Sequence, residues 1–163
     1  MTEPLLKVEN LRIELKLRDG VAPVIDDLSF ELMPGESLSF VGESGCGKSM
    51  TALAIMGLLP EGIGRIASGK LIFDGEDLTT ASEARLRQIR GNEISMIFQE
   101  PMTSLNPVIT VGEQIAEVLR THQGLSRKAA WDQAAELLDA VRIPNPRSRV
   151  SDYPFQISGG QRQ

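Results

Sequence analysis

Three glycines and a lysine within eight residues constrain this chain more than anything else in it: Gly42-Glu43-Ser44-Gly45-Cys46-Gly47-Lys48-Ser49. Glycine at positions 42, 45 and 47 permits backbone conformations in which successive N–H groups turn inward around an anion. Leu38 to Val41, just before, reads as a short apolar strand. Thr51 to Met56, just after, reads as a helix with no breaker before Gly57. A strand that runs through such a loop into a helix sets the positive end of the helix dipole at the same anion. Lys48 then reaches the outer phosphates as a point charge, and the Ser49 hydroxyl can ligate magnesium. The pattern points to a nucleoside triphosphate with Mg2+. Cys46 contributes only a backbone N–H on this reading, because a bound phosphate opposes a thiolate.

The bulk numbers narrow the class. At 163 residues, 41% hydrophobic and 24% charged, the chain has the make-up of an ordinary globular protein. Its net charge of −5 is the wrong sign for a protein that binds nucleic acid by neutralising phosphates, so no nucleic acid is expected as partner. Cys46 is the sole cysteine, which excludes an internal disulfide and suits a reducing compartment. Met1 to Asn10 carries acids and no long apolar run, so no signal peptide is visible. The longest apolar candidate, Thr51 to Pro60, is about half the roughly 20 residues that span a bilayer. The expectation is a cytoplasmic protein that meets a membrane only through a partner.

Along the chain, Ile13, Leu15 and Leu17 alternate with Arg12, Glu14, Lys16 and Arg18, and Leu28, Phe30 and Leu32 alternate with Ser29 and Glu31. Both periods of two predict half-buried strands, separated by the turn signal Asp19-Gly20, and together an antiparallel sheet. Leu71-Ile-Phe before Asp74-Gly75 predicts another strand, Ala81 to Arg90 a polar helix, and Ile94 to Phe98 a buried strand. Beyond that the texture turns helical. Thr110 with Glu113 suggests a capping box ahead of Val111, Ile115, Val118 and Leu119. A second helix is expected from Ser126, with Ala130, Ala134, Leu137, Leu138 and Val141 on one face, ended by Pro144-Asn145-Pro146.

The glycine loop alone leaves kinases, GTPases, helicases and transporters open; a GTPase would want an N-K-x-D motif, which is absent. Two further segments narrow the choice. Ile157-Ser158-Gly159-Gly160-Gln161-Arg162-Gln163 resembles the signature of ATP-binding cassette (ABC) proteins, with Ile157 in place of leucine, and Ile97-Phe98-Gln99-Glu100-Pro101 resembles their Q-loop. The change to helical texture falls just after Gln99, where the family places a subdomain boundary. Gly42-Glu43-Ser44-Gly45, Met96-Ile-Phe-Gln-Glu-Pro-Met-Thr-Ser-Leu-Asn-Pro107 and Thr110-Val-Gly-Glu-Gln114 look like the ATPases of oligopeptide, dipeptide and nickel permeases.

That resemblance implies an α/β P-loop NTPase fold of the ABC type. Residues 1–99 would form a nucleotide-binding core with an antiparallel β-subdomain, and residues 100–163 a helical subdomain ending at the signature. The C-terminal part of the core would be missing. It implies an ATPase that drives uptake of peptides or similar small solutes. Two ATPase domains would sandwich two ATP molecules, each held by one domain's loop and the other's signature. Nucleotide contacts fall to Gly42, Glu43, Ser44, Gly45, Cys46, Gly47, Lys48, Ser49 and Met50, and across the dimer to Ser158, Gly159, Gly160 and Gln161. Ser49 and Gln99 would hold Mg2+, with Lys48 and Gln99 catalytic. The implied partners are integral-membrane permease subunits, a second ATPase domain and, indirectly, an extracytoplasmic solute-binding protein. The implied place is the cytoplasmic face of the bacterial inner membrane. A repair- or translation-type soluble ABC ATPase and a non-catalytic nucleotide-binding fragment are the competing readings.

Three departures from the family pattern stand out. The loop Leu17-Arg18-Asp19-Gly20-Val21 lacks the aromatic residue that relatives stack on adenine, leaving Arg18 as the one planar group there. Met50 stands where many relatives carry threonine, and the acidic strand, its following glutamate and the switch histidine of relatives would all lie beyond Gln163. His122 is therefore not that histidine; it reads as a complement to a helix C-terminus. Negligible ATPase activity of this chain alone is the expectation.

Overall fold

The computed structural model describes residues 3–99 and 104–163, in two compact units, Met1–Met96 and Ile97–Gln163. The first unit is built on a four-stranded antiparallel sheet in the order β2-β1-β3-β4. Its strands are β1 (Leu6–Leu17), β2 (Gly20–Leu32), β3 (Gly64–Phe73) and β4 (Glu76–Asp77). The alternation read in the sequence sets the register, with Ile13 opposite Ile25 on β2 and opposite Ile66 on β3. Val8, Leu11, Ile13 and Leu71 are wholly buried, and with Ile25, Phe73, Leu78, Ala54 and Ile89 they form the core. Two helices cover it, α1 (Lys48–Ile55) and α2 (Glu83–Ile89).

Two expected strands are not strands. Leu38–Val41 and Ser95–Phe98 run without strand structure, and only an isolated bridge joins Ile94 to Arg90. Among the described residues no backbone hydrogen bond reaches Leu38–Val41. Apolar composition alone does not make a strand: the backbone groups need a neighbouring ladder, and here none is supplied. Val41 and Ile97 are consequently almost fully exposed, at 97% and 93%. Phe40 packs edge-on against Phe30 of β2, at 5.0 Å between ring centroids.

The second unit is helical: α3 (Val111–Gln123), α4 (Arg127–Ala140), α5 (Pro146–Arg149), a 3-10 turn (Pro154–Gln156) and α6 (Gly159–Arg162). Thr110 caps α3 by accepting from the Glu113 N–H, and Ser126 caps α4 from the Ala129 N–H. Glu113 does not reach back as a capping box requires; its carboxylate bonds Arg120 at 2.6 Å instead. The buried stripe of α4 runs through Ala130, Ala134, Leu138 and Ala135. Leu137 and Val141, expected on that face, lie at its edge and are exposed, as is Val118 of α3. The helices close on small residues: Gly112 donates to the Val150 carbonyl at 2.9 Å, and a Cβ at position 112 would fall 2.6 Å from the Val150 Cβ.

Candidate functional site

The glycine loop leans on the sheet. After β2 the chain turns at Pro34-Gly35 and runs extended to Val41, and the loop follows directly into α1. Gly47 caps α1 at φ +93°, a left-handed conformation that side chains rarely adopt. A Cβ there would lie 2.3 Å from Ile25 Cδ1 and 3.0 Å from the Val24 carbonyl, so glycine lets the loop sit against β2. Thr51, the one buried polar residue among the described residues, donates its hydroxyl to the Gly47 carbonyl at 3.2 Å and fixes the first turn of the helix. At the other end of α1, the Arg90 guanidinium donates to the Met56 and Gly57 carbonyls, both at 2.7 Å. Those carbonyls are helix-end acceptors with no intrahelical donor. Neither Thr51 nor Arg90 was marked by the sequence pattern; a charged residue more than thirty positions away gives no local signal.

Lys48 reaches back over the loop. Its ammonium donates to the carbonyls of Gly42 at 2.7 Å and Glu43 at 2.8 Å, and lies 3.2 Å from Cys46 Sγ. The loop thus curls around the spot that the ammonium reaches. A Cβ at Gly42 would intrude there, 2.6 Å from Cys46 Sγ and 3.8 Å from Lys48 Nζ. The hydrogen bond from Lys48 lowers the exposed Cys46 thiol's pKa below its ordinary value, against a smaller opposing effect of desolvation. A cavity of about 300 Å³ lies against the loop, lined by Cys46, Lys48 and Thr51 on one side and Val24, Ile25 and Asp26 on the other. Ser49 is exposed and its hydroxyl has no partner among the described residues. The donor set fits a polyphosphate: a cationic amine, glycine backbone in left-handed conformations at Gly45 and Gly47, and an open hydroxyl at a helix start. An open hydroxyl beside bound phosphates also suits Mg2+, which keeps several waters and binds substrate phosphates rather than an all-protein cage.

The remaining sequence-marked residues lie in the second unit. Gln99 is exposed just after the extended segment; of the run from Met96 to Pro107, residues 100–103 lie outside the described residues. Ser158 caps α6 with a reciprocal capping box, its hydroxyl accepting from the Gln161 N–H while Gln161 Oε1 accepts from the Ser158 N–H. Gly159 and Gly160 are exposed between them. A role the sequence did not reveal falls to Gln114. Its side-chain amide accepts from the Asn106 N–H and donates to the carbonyls of Asn106 and Ile109, clamping the loop ahead of α3. The β1–β2 turn bears no aromatic ring; Leu17 and Val21 are exposed there.

A glycine loop strapped between a sheet and a helix start, with a lysine folded over it, defines a protein built on a phosphate loop. The family model for the ABC transporter matches residues 25–163, and the chain belongs to that family. It is 49% identical over 162 residues to a candidate peptide import ATP-binding protein of Brucella abortus (strain 2308), covering 99% of this chain and 48% of that one. It is 45% identical over 161 residues to the dipeptide transport ATP-binding protein DppD of Bacillus subtilis (strain 168), covering 99% and 48%. The chain thus spans about half the length of the curated relatives it matches. Among solved structures, it resembles the dimeric structure of MJ0796, a bacterial ABC transporter cassette, at a TM-score of 0.80 and 23% identity, over 96% of this chain and 65% of that one. A post-hydrolysis state of the same cassette bound to ADP and Pi matches at 0.78. At that identity the likeness is one of fold. No helix among the described residues is long and apolar enough to cross a membrane.

Proposed function

We propose that this chain is the nucleotide-binding part of an importer ATPase that couples ATP binding and hydrolysis to uptake of peptides or similar small solutes. The observation that carries the reading is the Gly42–Ser49 loop, with Lys48 folded over the place a phosphate would take. The relatives' names support the direction and the solute class: that of the Brucella protein says peptide import, and that of the Bacillus protein says dipeptide transport.

On this reading Lys48 gives up the carbonyls of Gly42 and Glu43 for the outer phosphates, and the loop N–H groups donate to the phosphate oxygens. Ser49 would hold Mg2+ with Gln99, and the ion would neutralise charge between the phosphates when bound. Ser158 to Gln161 would serve a second ATPase domain: the serine hydroxyl is presented by its cap, and the two glycines allow close backbone approach. Residues 1–99 act as the nucleotide core and residues 100–163 as the helical subdomain, whose surface near residues 100–125 meets membrane-spanning permease subunits. A solute-binding protein outside the membrane acts through those subunits, and the ATPase works at the cytoplasmic face of the bacterial inner membrane.

Thermal unfolding with and without Mg-ATP tests the reading. A ligand bound only to the folded chain raises its melting temperature. The rise is expected in the native sequence and absent in Lys48→Ala. No shift at saturating Mg-ATP, or an equal shift in the variant, would overturn the assignment of the loop.

A further inference from the structure

Two aromatic rings stand exposed just ahead of Ser158. Tyr153 and Phe155 flank the buried Pro154 and stack on one another, with ring centroids 5.6 Å apart and planes 6° from parallel. Phe155 is 66% exposed and Tyr153 38%. The turn that carries them is pinned at both ends of its backbone. The Gln156 N–H donates to the Tyr153 carbonyl at 2.9 Å, and Gln156 Oε1 accepts from the Tyr153 N–H at 2.8 Å. Pro154 and Ile157 are buried, which leaves Tyr153, Phe155 and Ser158 on the solvent side of the same short stretch. Holding two rings in this way costs side-chain entropy and buries only the faces that they turn to each other. An outer face stays open, and a flat aromatic face takes up a nucleobase by stacking.

The first unit has the opposite deficit. It carries the phosphate loop, but of its three aromatic residues Phe73 is buried, while Phe30 and Phe40 pack against each other. The exposed apolar residues of its β1–β2 turn, Leu17 and Val21, are aliphatic.

We propose that Tyr153 and Phe155 are the stacking platform for the adenine of an ATP held in the loop of a second copy of this chain. The inference rests on the function proposed above, in which Ser158 to Gln161 face the outer phosphates of the nucleotide on a second ATPase domain. Phe155 lies three residues before Ser158, a chain length of at most roughly 10 Å. That is the scale on which a base lies from its own outer phosphates. The serine hydroxyl and the ring pair therefore match the two ends of one nucleotide. Phosphates are gripped by one copy's loop and the base by the other copy's rings, so tight ATP binding requires the pair of chains.

The test compares Mg-ATP with Mg-tripolyphosphate, which has the phosphates and no base, by calorimetric titration. Tyr153→Leu/Phe155→Leu is expected to bind Mg-ATP about tenfold more weakly than the native chain, and Mg-tripolyphosphate equally well. Tyr153→Phe/Phe155→Tyr, which keeps both rings, restores the native affinity for Mg-ATP. Mixing shows which copy supplies the rings. Lys48→Ala is deprived of its own nucleotide grip but still offers its rings, so in excess it should return the leucine variant to native affinity. Lys48→Ala carrying the same two leucines should not. Equal Mg-ATP binding by the native chain and the leucine variant overturns the proposal, as does an equal loss for Mg-tripolyphosphate. Loss that Lys48→Ala fails to rescue also overturns it, since the rings would then act within their own chain. No binding of either ligand by the native chain removes the loop assignment and this inference with it. Binding of both ligands that the leucines leave untouched removes the platform alone.

Discussion

Lys48 and Cys46 lie two residues apart in the loop, and their contact gives the loop a chemistry that is measurable without nucleotide. The ammonium 3.2 Å from Sγ favours the thiolate, and the thiol is exposed. Reactivity follows the thiolate fraction. Alkylation of Cys46 by iodoacetamide should therefore rise with pH through a midpoint below the ordinary cysteine value, and Lys48→Ala should move that midpoint up. An unchanged midpoint in the variant would show that the ammonium does not hold the thiolate. The loop is also the most legible part of the molecule, because its chemistry depends on residues adjacent in sequence. Its supports were not legible. Thr51, Arg90 and the Val24–Ile25 seat act through contacts that the fold creates.

At the scale of elements, local signals did well wherever a segment's partner is also local. Alternation located β1 and β2 because they form a hairpin, and Thr110 and Ser126 cap the helices they precede. They failed for Leu38–Val41 and Ile94–Phe98, whose apolar runs need a distant ladder. They also failed for Glu113, where Arg120, seven residues on, outcompetes the capping role. That pair makes α3 acid-sensitive in a defined sense. Arg120 holds the Glu113 carboxyl below its ordinary value, so its contribution is present above about pH 4.5 and lost as pH falls through the lowered pKa. Urea unfolding followed by Trp131 fluorescence should show stability declining below that pH, and Glu113→Gln should flatten the decline. A second test concerns the close approach of α3 to Val150. Gly112→Ala forces a methyl group to 2.6 Å from both the Val150 Cβ and its carbonyl oxygen, and overpacking of that kind costs about 1–3 kcal/mol. The same Trp131 melt, which reports the packed cluster containing Val111 and Val150, should shift accordingly. Unchanged stability would mean that the α3–Val150 contact yields without loss.

For the whole molecule, ordered sheet and loose segments coexist within about a hundred residues. β1 is paired on both sides and shields Val8, Leu11 and Ile13 almost completely, whereas Leu38–Val41, which feeds the phosphate loop, carries no backbone hydrogen bonds among the described residues. Exposed apolar backbone outside any sheet leaves N–H and C=O groups that a neighbouring strand would pair wherever one is offered. Amide exchange reports this directly, since protection follows the free energy of opening each hydrogen bond. In dilute solution the amides of Leu38–Val41 and Ser95–Phe98 should exchange at rates near those of unstructured peptide. Those of Val8 to Ile13 should be the slowest in the first unit. Mg-ATP should slow the amides of Gly42 to Ser49, because phosphate oxygens accept from them, and leave Leu38–Val41 fast, because nucleotide supplies no ladder. Protection of Leu38–Val41 to the level of β1 without nucleotide would show that a strand partner is already in place in solution. The loop would then hang from a formed sheet, and its nucleotide affinity would not depend on ordering the segment that leads into it.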